Sequence, residues 1–106
     1  MEATKSLNSN GFETLIQTGV ALVDFGAPWS APCRMQRPAI EQLAEQHNGK
    51  VMFAAVNVDE NYQLSTRLRI MSIPTIIIFK DGREIKRFIG FQSAKALNVA
   101  IEKAMK

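Results

Sequence analysis

Two nearly unbroken apolar runs, Val20-Ala21-Leu22-Val23-Asp24-Phe25 and Val51 to Val58, constrain this chain most. A strand that is apolar at every position has both faces covered, and helices provide that cover on parallel strands. Between the runs, Ala31 to His47 carries Met35, Ile40, Leu43 and Ala44 at helical spacing and ends in Asn48-Gly49. The three segments predict a strand, helix, strand crossover, with both strands in the middle of a parallel sheet. Pro38 falls inside the helix, where it removes an internal hydrogen bond, so a bend is expected there rather than an end.

The flanking segments complete the alternation. Asn10 with Glu13 three residues on has the pattern of a capping box, Phe12, Leu15 and Ile16 share a face, and Gly19 stands where a C-terminal cap belongs, predicting a short first helix. Asp59 is placed to cap a short helix over Leu64 and Leu68. Thr75 to Phe79 and Arg83 to Ile89 flank Asp81-Gly82 as an antiparallel hairpin, and Arg83, Lys86 and Arg87 are expected on its exposed edge, where charge discourages strand addition. A last helix starts at Ser93 and buries Leu97, Ala100, Ile101 and Ala104. Residues 1–106 therefore predict a single α/β domain, a central mixed β-sheet flanked by helices. At 106 residues two separate cores would each be too small to offset chain entropy.

Composition removes several functions. The charge of +3 comes from 13 basic and 10 acidic side chains without a basic stripe, which argues against nucleic acid as a partner. A lone cysteine excludes an intrachain disulfide, and Met1 to Gly19 has no apolar signal core, so a cytoplasmic chain that does not enter a membrane is expected. His47 lacks partners at ligand spacing and reads as a capping or solvent-facing residue, so no metal is expected. Met35, Met52 and Met71 read as packing residues, with Met71 at the border of a site.

Two residues stand out chemically. Trp29-Ser30-Ala31-Pro32-Cys33 follows a strand and opens a helix, where unpaired N–H groups and the helix dipole favour a thiolate at Cys33, with Arg34 beside it and Arg37 one turn on. The competing reading of Cys33 is an inert packed thiol. Asp24 interrupts an apolar strand at a position that predicts hydrocarbon. Either it accepts a proton from a nearby thiol, with its pKa raised by burial, or it lies at a strand end and reaches water. Ile73-Pro74-Thr75 joins a helix to a strand, and the residues leave the isomer of that bond open.

Val-Asp-Phe, Trp-Ser-Ala-Pro-Cys-Arg-Met, Pro38, Val-Asn-Val-Asp, Ile-Pro-Thr, Phe79-Lys80-Asp81-Gly82 and Gly90 resemble the thioredoxin family in order and spacing, over essentially the whole chain. The resemblance implies a thioredoxin-like fold and a thiol-disulfide oxidoreductase, a protein-disulfide reductase needing no bound cofactor. Its partners would be protein disulfide substrates and a thioredoxin reductase, and the chain a monomer. It implies that Cys33 is the resolving cysteine, that Asp24 assists its proton transfer, and that Pro74 is a cis-proline facing the site. Trp29, Ala31, Pro32, Ile73, Gly90 and Phe91 would form the peptide-docking surface.

Three positions depart from the family pattern. Ser30 stands at the nucleophilic cysteine, Gly26 at a usual tryptophan and Ala55 at a frequent lysine. A serine hydroxyl cannot enter thiol-disulfide exchange, so this form is expected to be inactive as a reductase. Ser30 is read as a near-isosteric replacement in a reductase whose own motif would be Trp-Cys-Ala-Pro-Cys. The alternative is a natural single-cysteine relative, a redox-inactive peptide-binding module in which Ser30 caps the helix. Iron–sulfur ligation by a single thiol would use the first motif position and fits less well.

Overall fold

The computed structural model describes residues 4–106, apart from the side chain of Ser9. The first three residues of the stretch read for a signal core lie outside the described residues. The elements run β1 (Lys5–Ser6), α1 (Ser9–Ile16), β2 (Val20–Gly26), α2 (Ala31–Gln46), β3 (Val51–Asn57), α3 (Tyr62–Arg67), β4 (Thr75–Lys80), β5 (Arg83–Ile89) and α4 (Ala94–Met105). One five-stranded sheet has the order β1-β3-β2-β4-β5. β1, β3 and β2 are parallel, while β4 runs antiparallel to β2 and β5 antiparallel to β4. The crossover and the hairpin are as the apolar runs predict. β1 carries no apolar signal, and the residue pattern does not predict it.

Strand alternation sorts the core into two layers. Val20 and Leu22 of β2, Val51 and Phe53 of β3, and Ile76 and Ile78 of β4 pack beneath α2 and α4, which contribute Ile40, Leu43, Leu97 and Ile101. Ala21, Val23 and Phe25 of β2, with Ala54, Val56, Ile77 and Phe79, face α1 and α3 through Phe12, Leu15, Ile16 and Leu64. Covering both faces explains the continuous apolar runs of β2 and β4. Parity then places Asp24 and Gly26 on the α2 side of β2, and register sets Ala55 beside Asp24 and Asn57 beside Gly26. Asp24 therefore occupies a core position beneath α2.

Several local expectations are corrected. Asn8, not Asn10, caps α1: its side chain accepts the Gly11 N–H at 2.9 Å, and Glu13 instead bonds Arg67. Gly19 lies beyond the end of α1 and serves the entry to β2, with φ of 74° and its N–H donated to Asp81 Oδ1 at 2.7 Å. Asn61 precedes α3 as its boundary residue, and Asp59 is engaged elsewhere. Met35, Met52 and Met71 are exposed rather than packed, Met35 by 65% and Met71 by 90%. Met35 and Met52 lie on exposed faces of α2 and β3, and Met71 lies in the loop between α3 and β4. His47 does terminate α2, but it is buried against Phe53, with Nε2 2.6 Å from Asn98 Oδ1, so it does not face solvent.

Other features match the residue pattern. α2 continues through Pro38 to Gln46. Ser93 caps α4 by accepting the Ala96 N–H at 3.1 Å. Asp81 and Gly82 both adopt positive φ, the conformation a two-residue hairpin turn requires. β5 is an edge strand carrying exposed Arg83 and Lys86, with Arg87 paired to Glu84 at 2.8 Å. Among the described residues, no helix is long and apolar enough to cross a membrane.

Candidate functional site

The site forms where β2 ends and α2 begins. Ser30 is the N-cap of α2: its extended backbone (φ −87°, ψ 119°) turns the chain into the helix, and its Oγ accepts the Cys33 N–H at 3.4 Å. A serine hydroxyl satisfies one of the donors that every helix start leaves unpaired. Pro32 fits the first turn because its missing N–H would have no helical partner there. Ala31 and Pro32 are exposed, whereas Ser30 and Cys33 are buried.

Cys33 points back toward the sheet. A carbon placed at the missing Cβ of Gly26 would lie 2.9 Å from Cys33 Sγ and 4.0 Å from Asp24 Oδ1. The thiol and the carboxylate thus flank one point, and the absence of a side chain at residue 26 leaves that point open. Asp24 is only 5% exposed, which overturns the reading of a strand-end carboxylate in water. Its Oδ1 is buried without a hydrogen-bond partner among the described residues. Burial pushes its pKa from 3.8 up to about 6, opposed in part by the positive charge of Arg37. Arg37 lies one turn beyond Cys33 on α2, so the same helix face carries both. Arg34 also borders this space, with Nη1 donated to the Pro28 carbonyl at 2.9 Å.

The other side of the site comes from the start of β4. Thr75 pairs with Phe25, so Pro74 arrives level with the last residue of β2. The Ile73-Pro74 bond is cis, resolving the isomer that the residues left open. The Pro74 carbonyl accepts the Gly90 N–H at 2.8 Å, which joins the loop before β4 to the end of β5. Gly90 has a φ of 92°, in the left-handed region that favours glycine. Ile73 is half-buried, and Phe91, Met71 and Ile89 are exposed apolar side chains at or beside these two loops.

Two contacts and a cavity are not predicted from the residue pattern. Trp29 is 67% exposed, yet its Nε1 donates to Asp59 Oδ2 at 2.7 Å, and Asp59 N–H in turn bonds Asn57 Oδ1. Fully buried Gln36 on α2 holds the backbone of Gln92 at both ends: Nε2 donates to its carbonyl at 2.9 Å and Oε1 accepts its N–H at 2.7 Å. A glutamine within an otherwise apolar helix face is the one signal that could have found this clamp. The third is a cavity of about 500 Å³ between β2, β3 and the first turns of α2, reached by Asp24, Gly26, Cys33, Arg37 and Ala55.

The thioredoxin family profile matches residues 3–103. A thioredoxin of Staphylococcus saprophyticus is 44% identical over 103 residues, covering 97% of this chain and 98% of that protein. The chain belongs to the thioredoxin family. A thioredoxin of Alicyclobacillus acidocaldarius is 45% identical over 100 residues, covering 93% of this chain and 95% of its own length. Among solved structures, a point-mutant thioredoxin from Halobacterium salinarum superposes with a TM-score of 0.88 at 29% identity, covering all of this chain and 96% of that one. Within this thioredoxin fold, the buried carboxylate, the thiol in the first turn of α2 and the cis-proline loop converge on one end of the sheet, while position 30 carries a hydroxyl.

Proposed function

We propose that this chain carries the site of a protein-disulfide reductase with its dithiol cycle interrupted at Ser30, so that it turns over little or not at all as it stands. The observation that supports this most is Asp24, a core carboxylate that costs stability and flanks the Cys33 thiol. A buried carboxylate at that place is explained by proton transfer at Cys33. In the uninterrupted cycle a thiol at position 30 attacks a substrate disulfide and forms a mixed disulfide. The Cys33 thiol then gives its proton to Asp24 and attacks the sulfur at position 30. That step releases the reduced substrate and leaves a disulfide between the two positions. Electrons return from a thioredoxin reductase, and no bound cofactor takes part.

Substrate segments lie along Trp29, Ala31, Pro32, Ile73, Gly90 and Phe91, with the cis Pro74 carrying the backbone that presents Ile73. In this reading the uninterrupted protein, with a cysteine at position 30, acts as a cytoplasmic monomer on protein disulfides. Ser30 keeps a local role, because its Oγ caps α2 in the place a cysteine would hold.

Dithiothreitol-driven reduction of insulin by this chain and by Ser30→Cys tests the reading, with circular dichroism showing equal folding. The expected result is little catalysis by the chain and strong catalysis by the variant. A folded Ser30→Cys that fails to catalyse would overturn it and leave a module that binds extended peptides without chemistry.

A further inference from the structure

The cavity under α2 opens a second approach to Cys33, separate from the peptide-docking surface. Its floor is the α2 side of the sheet, where Asp24, Gly26 and Ala55 lie together by parity and register. Two of these three are the smallest residues, and a side chain at residue 26 would run into Cys33 Sγ. The space is about 500 Å³, inside the range of roughly 300–1,000 Å³ typical of small-molecule pockets. Asp24 Oδ1, buried and without a hydrogen-bond partner among the described residues, is the polar atom that a ligand there would satisfy. Arg34, Arg37 and Glu60 complete the charged lining. Guanidinium groups from α2 and a carboxylate from the turn after β3 suit a ligand that carries both an ammonium and a carboxylate.

We propose that this cavity binds the disulfide of a small zwitterionic aminothiol, an amino acid or short peptide, and that Cys33 is its covalent acceptor. The Cys33 thiol passes its proton to Asp24 and attacks one sulfur of the bound disulfide. The disulfide's S–S bond breaks as a new one forms between Cys33 and the bound half. The other half leaves as a thiolate and takes the proton back from Asp24, so the exchange consumes no further oxidant or reductant. The ligand's ammonium lies against Glu60 and its carboxylate against the arginines, which leaves Asp24 free to take the Cys33 proton. The proposal shares with the reductase reading the role of Asp24 toward Cys33, but it needs no thiol at position 30.

The test uses the reduced chain with Ser30 in place, so its failure and a failure of Ser30→Cys to restore reductase activity are separate results. The chain is incubated with glutathione disulfide as the zwitterionic probe and with 2-hydroxyethyl disulfide as an uncharged one, and the adduct at Cys33 is followed by intact-protein mass spectrometry. Rates are referred to the same chain unfolded in urea. The expected result is one glutathionyl group on Cys33, added faster to the folded than to the unfolded chain, with a folded-state advantage greater than for the uncharged probe. Asp24→Asn slows the reaction by about 100-fold, the lower end for a positioned proton acceptor. Gly26→Ala closes the approach at Cys33 Sγ. Ala55→Leu fills the floor from β3 and serves if Gly26→Ala does not fold. Reaction no faster in the folded chain, an equal advantage for the uncharged probe, or a folded Ala55→Leu that reacts at the parental rate each overturns the proposal.

Discussion

Asp24→Asn converts the buried carboxylate into a stability measurement. Its pKa is about 6 in the folded chain against an ordinary 3.8, a difference caused first by burial and reduced by Arg37. Each pH unit of such a difference is worth about 1.4 kcal/mol, so holding this carboxylate ionised in the fold costs about 3 kcal/mol. Below pH 3.8 the group is protonated in both states, and the cost is absent. Between 3.8 and about 6 the unfolded chain ionises while the folded one keeps its proton, so rising pH favours unfolding. Above about 6 both states are ionised and the whole cost is in place. Asparagine removes the charge but leaves a buried amide, returning about 1 kcal/mol of the gain. The variant should therefore be more stable than the parent by about 2 kcal/mol near neutral pH, and the advantage should shrink steadily toward about pH 4. Urea unfolding of both proteins across this range measures it, and other carboxylates cancel in the comparison where they act independently. A difference that stays constant with pH, or an asparagine variant no more stable at neutral pH, would refute the burial argument.

Gln36→Ala removes both bonds to the Gln92 backbone, so unfolding should become easier by about 2–3 kcal/mol and the Gln92 amide should exchange faster with solvent. Ile40→Ala, in the layer beneath α2 and α4, should cost about 2–5 kcal/mol in urea unfolding through the cavity it leaves. Gly82→Val forces a β-branched residue to a φ of 86° and should lower stability by at least about 1 kcal/mol, visible as a lower thermal midpoint. Glu13→Gln, by contrast, breaks only an exposed pair with Arg67 and should change stability by less than about 1 kcal/mol in the same assay.

Local periodicity was enough to read β2, α2, β3, the β4–β5 hairpin and α4, because each carries its burial in its own residues. It failed where burial depends on the neighbour. Met35, Met52 and Met71 have apolar side chains in apolar patterns, yet the sheet and helices cover other faces of those segments. β1 spans two residues and pairs with β3 through its backbone, which no side-chain pattern reveals. Asp59 has the chemistry of a helix cap, and only the folded chain brings Trp29 across to claim its carboxylate.

What the sequence by itself determined was the order of elements and the chemistry available at the end of β2: a thiol at 33, a hydroxyl at 30 and a carboxylate at 24. The tertiary structure decided what these groups can do. Parity and register put Asp24 under α2, where lack of water raises its pKa and where Cys33 Sγ approaches the same open position above Gly26. The same geometry turned two small residues, Gly26 and Ala55, into the walls of a cavity. A residue's type sets its intrinsic acidity and size, but its solvation and the space around it belong to segments distant in sequence.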